Sequence, residues 1–434
     1  MKTICKTNTD INESYIHFTH KSGLEVYIVP KKMATSYALF GTKFGSIDNH
    51  FIVDGEEIVL PDGIAHFLEH KMFEQEDGTD AFLRYAKTGA NANAYTTFER
   101  TCYLFSATEN FYESLEILLD FVSHPYFTEA TVQKEMGIIG QEIRMYDDNP
   151  GWQLYFGMLT GLYHANTVRI DTAGTTETIS HITPELLHTA YRAFYDPHNM
   201  ILSLSGDIDP ERVNTICDKY LQESEKPSVT RLYPDEPKSI FRERVSKQLE
   251  VSMPMFAVGI KDNIKTENGE ELMKKQACYD ILLDMLFGKS SPFYSRVYES
   301  GRIDSSFSFD YECSKTFGHA MLSGASYEPE EVYALIREEF ENAKKNGLDK
   351  EAFERIHRAS YAQTLRAFNS TEDIAGEMLI YRFEGFDMLD YPQLVASVTF
   401  EDVCALLDTA FQPDEFVLST ILPLEQNANG SENE

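Results

Sequence analysis

Two strand-like segments, "MILSLSGDI" (200–208) and "EFVLSTILP" (415–423), close two stretches of chain that run through the same order of elements. A repeat on this scale limits the fold more than any local propensity. In the first stretch, the strand formers "LEVYIVP" and "SYALFGTKFGSID" precede a helical segment. Then comes "NANAYTTFERTCYLFSA", whose Thr, Tyr and Phe read as two strands or one bent one. Helix-like stretches at 111–122 and 128–147 follow, the second ended by "DDNPG", and "TPELLHTAYRAFY" leads through the turn "DPHN" to the closing strand. The second stretch repeats this with "MFAVGIKD", "QACYDILLDMLFG", "SSFSFDYE" and "GHAMLSGAS", paired long helices across 329–366 and a helix at 400–410. At 434 residues the chain exceeds one ordinary core. The expected fold class is α+β, in two tandem homologous domains. Their boundaries are set at 1–225 and 246–424, joined by a polar, proline-containing linker at 226–245 and followed by a disordered tail at 425–434.

The chain has 38 basic residues against 70 acidic ones, a formal charge of -32. That balance disfavours a grip on nucleic acid or anionic lipid, so neither nucleic acid nor membrane is expected as a partner. The start, "MKTICKTNTDINESYIHF", lacks a signal-type apolar core, and no apolar run approaches the roughly 20 residues that span a bilayer. A cytoplasmic location is expected. Six cysteines are scattered without a CxxC pair, which fits buried free thiols better than a disulfide framework or a thiolate metal site.

Chemistry concentrates in "GIAHFLEHKMFEQEDG", residues 63–78. On a helix, His66 and His70 lie one turn apart on one face with Glu69 beside them, an arrangement suited to a metal ion. Two imidazoles fill two zinc positions, and a third ligand leaves the fourth open to water, as catalytic sites require. The inverted H-x-x-E-H order is a zinc-peptidase signature. The bland alternative is two histidines decorating an amphipathic helix. For the third ligand, "QKEMGIIGQEIRMYDDN" offers Glu135 and Glu142, seven residues apart on one helix face. Neighbouring Ile138, Ile139 and Ile143 favour Glu142, because an unpaired carboxylate is costly in a partly apolar setting.

"HFLEH", followed about seventy residues later by "EMGIIGQEI", resembles the pitrilysin or insulinase family of zinc peptidases, M16. The likeness continues through "SGLEVYIVP" and "GSID" before the motif, and "GANANAYTTFERTCY", "GTTETISHITPELL" and "FYDPHNMILSLSGDID" after it. The resemblance implies that His66, His70 and Glu142 hold one Zn2+ per chain. It makes Glu69 the general base and Glu135 a carboxylate orienting a ligand histidine. It makes Asn93, Ala94, Tyr95 and Thr96 part of an edge strand that takes an extended peptide substrate by strand addition. The implied architecture is an antiparallel sheet with helices on one face in each half, the two halves forming half of a clamshell chamber.

In relatives, an arginine and a tyrosine from a second-half domain grip the peptide backbone. A gapless reading of "SSPFYSRVYESGRIDSS" puts Pro292 and Ser305 at those places, with Arg296 and Tyr298 out of register as surface or packing residues. Keeping the metal half of the site without the grip resembles the zinc-bearing subunits of bacterial two-subunit members. A heterodimer with a homologous, zinc-less subunit is therefore expected, a homodimer being the other arrangement. "QEIRMYDDNP" and "YESGRID" resemble bacterial zinc-site proteins connected with elongation factor P modification. The activity expected is zinc-dependent hydrolysis of short unfolded peptides in a closed chamber. The competing expectation, a peptide-binding or maturation module with structural zinc, leaves Glu69 without a use.

Overall fold

The computed structural model describes residues 2–264 and 266–424, so the expected disordered tail lies outside the described residues. The first sheet has seven strands in the spatial order Ile4–Asn8, Glu13–Thr19, Glu25–Pro30, Met200–Gly206, Ser36–Thr42, Thr101–Ala107, Asn91–Thr96. The second has five: Arg244–Leu249, Phe416–Pro423, Met255–Asp262, Gly318–Ala325, Ser308–Cys313. The last five strands of the first sheet match the second sheet one for one. In each, the closing strand runs parallel to one neighbour (Glu25–Pro30, Arg244–Leu249) and antiparallel to the other (Ser36–Thr42, Met255–Asp262). All other neighbours in the two sheets are antiparallel. The duplicated α+β architecture read from the element order is thus present in the strand order as well.

Strand periodicity sends alternate side chains to opposite faces. From the first sheet, Val26, Ile28, Phe40, Phe105, Leu202 and Leu204 pack under helices of the same half. Tyr27, Val29, Tyr37, Leu39 and Ile201 point the other way and are buried too, against Ile374, Met378 and Leu379 of the helix Thr371–Phe383 from the second half. The second sheet is treated in kind. Phe256, Val258, Ile260 and Leu418 face their own helices. Ala257, Val417 and Ile421 meet Leu154, Met158 and Leu162 of the helix Pro150–Leu162 from the first half.

Helices of the same half therefore lie on one face, and the opposite face is covered by a helix lent from the other half. This is why the closing strand Met200–Gly206 is buried along its whole length. Glycines on the sheet side, Gly41 and Gly259 among them, let the lent helices seat closely. A Cβ on Gly41 would come within 2.6 Å of Leu379, and one on Gly259 within 2.5 Å of Met158.

The stretch 226–245, expected as a linker, is held along its course. Val229–Arg231 pairs with His50–Val53, and Tyr233 donates to the buried Asp48 at 2.8 Å. Glu236 accepts from the backbone N–H groups of His164, Ala165 and Asn166 at 2.8–2.9 Å and from Lys261. A carboxylate with three backbone donors and an ammonium partner fixes this segment as a strap. Among the described residues, no helix is long and apolar enough to cross a membrane.

Candidate metal centre

The helix Ile64–Met72 begins at Gly63, whose φ of 90° suits glycine. A Cβ there would lie 2.4 Å from the Ala173 carbonyl oxygen, so this corner accepts no side chain. Ile64, Ala65, Phe67 and Leu68 turn into the core. That choice leaves His66, Glu69 and His70 on the side facing the helix Glu129–Asp147. The latter starts at a reciprocal cap between Thr128 and Thr131 and buries Val132, Ile139 and Ile143. Ile138, invoked above as apolar cover for Glu142, is instead 45% exposed. Ile139 and Ile143 are buried in the core of the first half.

Across the two helices, His66 Nε2 lies 3.8 Å from one Glu142 oxygen and His70 Nε2 3.5 Å from the other. The imidazole rings stand 4.6 Å apart between centroids, inclined by 60°. One ligand atom from each of His66, His70 and Glu142 lies within 4.8 Å of the others. Tetrahedral zinc with bonds of about 2.0–2.1 Å separates its donors by about 3.3 Å, so modest tightening of this triad meets the requirement. His70 Nδ1 donates to Glu135 Oε1 at 3.1 Å, which turns the Nε2 lone pair towards the triad. Glu135 and Glu142 therefore sit on opposite nitrogens of the same ring.

The electrostatics fit a cation. Burial, with His70 as a second cause, holds His66 down at about 3, so its ring is neutral and able to ligate. Its buried Nδ1 has no hydrogen-bond partner among the described residues. Burial also pulls His70 down, but the Glu135 hydrogen bond and the charges of Glu69, Glu142 and Glu135 outweigh it and raise the ring above its ordinary value. Three carboxylates thus converge on one imidazole, a surplus of negative charge that a bound divalent ion would balance.

Glu69 is only 7% exposed. Burial pushes its carboxyl up to about 7, against the opposing hydrogen bond from Thr96, whose hydroxyl donates to Oε2 at 2.6 Å. A cavity of about 380 Å³ opens beside it, lined by Glu69, His70, Phe73, Asn93, Ala94 and Ile138.

Of the expected peptide strand, Asn91–Thr96 is the last strand of the first sheet; among the described residues it pairs only with Thr101–Ala107, which leaves its other edge unpaired there. Asn93 and Ala94 line the cavity. Tyr95 turns to the face opposite Ala94 and Thr96 and packs with the cluster around Leu39 and Leu379. The Thr96 side chain goes to Glu69, a link that residue spacing had not suggested. Also missed was Tyr146, one turn beyond Glu142, which stacks on Trp152 at 4.4 Å. Burial and then the Glu142 carboxylate raise its phenol. In the second half, Pro292 starts the helix Pro292–Glu299, and Ser305 lies in the turn before Ser308–Cys313. Arg296 is paired with Glu339 at 3.1 Å, and Tyr298 is 46% exposed against Tyr294.

The sequence profile of the insulinase family, peptidase family M16, matches residues 59–176, which contain the whole triad, and that of the M16 inactive domain matches 181–360. Over 422 residues the chain is 42% identical to the uncharacterized zinc protease YmfH of Bacillus subtilis strain 168, covering 95% of this chain and 97% of that protein. The chain belongs to peptidase family M16. An M16-like protein from Alicyclobacillus acidocaldarius shares the structure with a TM-score of 0.91 at 35% identity, over 95% of this chain and 99% of that one. A protease from Helicobacter pylori has the same fold, with a TM-score of 0.79 at 21% identity over 94% of this chain and 99% of that one. M16 membership accounts for the duplicated sheets, and the relatives' designation as zinc proteases agrees with a donor set of two imidazoles and one carboxylate.

Proposed function

We propose that this M16 chain is a zinc metalloendopeptidase for short unfolded peptides. The observation that carries the reading is Glu69 at the wall of a cavity that His70 also lines, next to the three-donor cluster of His66, His70 and Glu142. Zinc held by His66, His70 and Glu142 would supply the Lewis acidity that polarises a peptide carbonyl and acidifies water. Glu69 takes the proton from water and delivers it to the departing amine. Its raised carboxyl suits both halves of that transfer, since it is poised to gain and lose a proton near neutrality. Glu135 keeps His70 in one tautomer. The unpaired edge of Asn91–Thr96 aligns an extended peptide by backbone hydrogen bonds, and a closed chamber excludes folded proteins by size.

The chain is further proposed to act as the metal-bearing subunit of a heterodimer with a homologous, zinc-less chain. In support, Arg296 is committed to Glu339, and Pro292 and Ser305 offer no side-chain grip on a peptide backbone. The test is hydrolysis of mixed unstructured peptides by the zinc-loaded chain, alone and with the homologous protein that co-purifies from its native cells, with Glu69→Gln as control. Cleavage only in the complex, lost about 10²- to 10⁴-fold in Glu69→Gln with zinc retained, is the expected result. Cleavage by the chain alone rejects the heterodimer. Peptide binding without Glu69-dependent cleavage in either preparation leaves a binding module as the function.

A further inference from the structure

Among the described residues, the Thr96 side chain has two hydrogen-bonding neighbours: Glu69 Oε2 at 2.6 Å and Thr101 Oγ1 at 3.3 Å. Thr101 spends its own proton on the Phe44 carbonyl at 2.9 Å and is fully buried, so towards Thr96 it can only accept. A hydroxyl carries one proton. The short contact with the carboxylate claims it, charge-assisted bonds being the stronger. Thr96 is thereby locked as a donor, with Glu69 Oε2 locked as its acceptor.

We infer that Thr96 is a positioning residue for the base: it occupies Oε2 so that Glu69 collects and releases the travelling proton at Oε1 alone. This rests on the peptidase reading. As water's O–H bond breaks, the proton forms a new bond to Oε1. That bond breaks in turn when the amine leaving the peptide gains its N–H. With Oε2 already accepting a short hydrogen bond from Thr96, its remaining lone pair is the less basic one, and the proton is directed to Oε1. The strand geometry adds a coupling. Thr96 ends Asn91–Thr96, the strand whose free edge is proposed to take the peptide, so backbone pairing and orientation of the base share one rigid element.

The inference separates Thr96 from a peptide-gripping role, and the test is built on that difference. In the zinc-loaded complex, Thr96→Val should lower kcat about 10- to 100-fold while KM stays within about twofold, and Thr96→Ser should recover to within about threefold of the parent. Zinc content and melting temperature of both variants should match the parent, which removes misfolding as a cause. On the inactive Glu69→Gln background, adding Thr96→Val should leave the Kd of an uncleaved peptide within about twofold. A Thr96→Val enzyme with unchanged kcat, a loss confined to KM, a weaker peptide Kd, or a serine variant no better than valine would each overturn the inference. If the parent shows no Glu69-dependent cleavage at all, the peptidase reading fails and this inference fails with it. A parent that cleaves beside an equally active Thr96→Val rejects the inference alone.

Discussion

At the scale of single residues, Glu135 and Glu142 of the helix Glu129–Asp147 divide their work by which nitrogen of His70 they face. Replacing Glu135 with Gln keeps a hydrogen-bond acceptor and removes a charge. Zinc affinity should then fall about 10-fold or more, measured by competition with a chelator, with the helix intact by circular dichroism. Removal of Glu142 as Glu142→Ala should cost far more, because a ligand goes. His66, Glu69 and His70 were legible in the sequence because helix geometry alone puts positions four apart on one face. The choice between Glu135 and Glu142 was legible only in part. Heptad spacing places both on one side, and Ile138, part of the argument for Glu142, turns out exposed. Thr96 was singled out, but its bond to Glu69 spans 27 residues and depends on the sheet bringing strand to helix, which no local pattern encodes.

At the scale of elements, the hairpin that carries the candidate peptide strand has its tip in the other half. Phe98 packs edge-on to Phe156 at 6.3 Å and to Phe317 at 5.7 Å. Nearby, the lent helix Pro150–Leu162 crosses the second sheet so closely that a Cβ on Gly161 would lie 2.5 Å from Val417 and 3.1 Å from the Arg242 carbonyl. Gly161→Ala should therefore destabilise the protein by about 1–3 kcal/mol despite its favourable helix propensity, read as a lowered melting temperature. If the variant melts at or above the parent, the helix has room that the structure denies it. The succession of strands and helices along each half could be read in outline from residue pattern, but the order of strands within each sheet could not. The largely apolar "MILSLSG", interrupted by Ser203 and Ser205, reads as a buried strand. What it could not identify was the covering helix, which lies about 170 residues further along the chain.

At the scale of the molecule, the two cores are continuous through the lent helices, so the described halves should unfold together in one transition. A proton-linked contact lies at their junction. Burial, and then the charge of Glu384, push Glu99 up to about 7 from an ordinary 4.5, partly offset by Arg100, Ser314 and Lys43. The folded protein holds a proton that the unfolded chain gives up, so this contribution to stability is complete below about pH 4.5 and is lost as pH rises through about 7. Glu99→Gln removes that dependence. Its stability, followed by melting temperature, should gain on the parent between about pH 5 and pH 8 by an amount on the order of 2 kcal/mol. A gap that stays constant over that range would place the titration elsewhere. The lending of helices also sets a schedule for synthesis. The first sheet is complete when Gly206 is made, yet the helix that covers its far face begins only at Thr371. At ribosomal rates of about 5–20 residues per second, a nascent chain carries that bare apolar sheet for roughly 8 to 30 seconds, long enough for a chaperone to be its first partner.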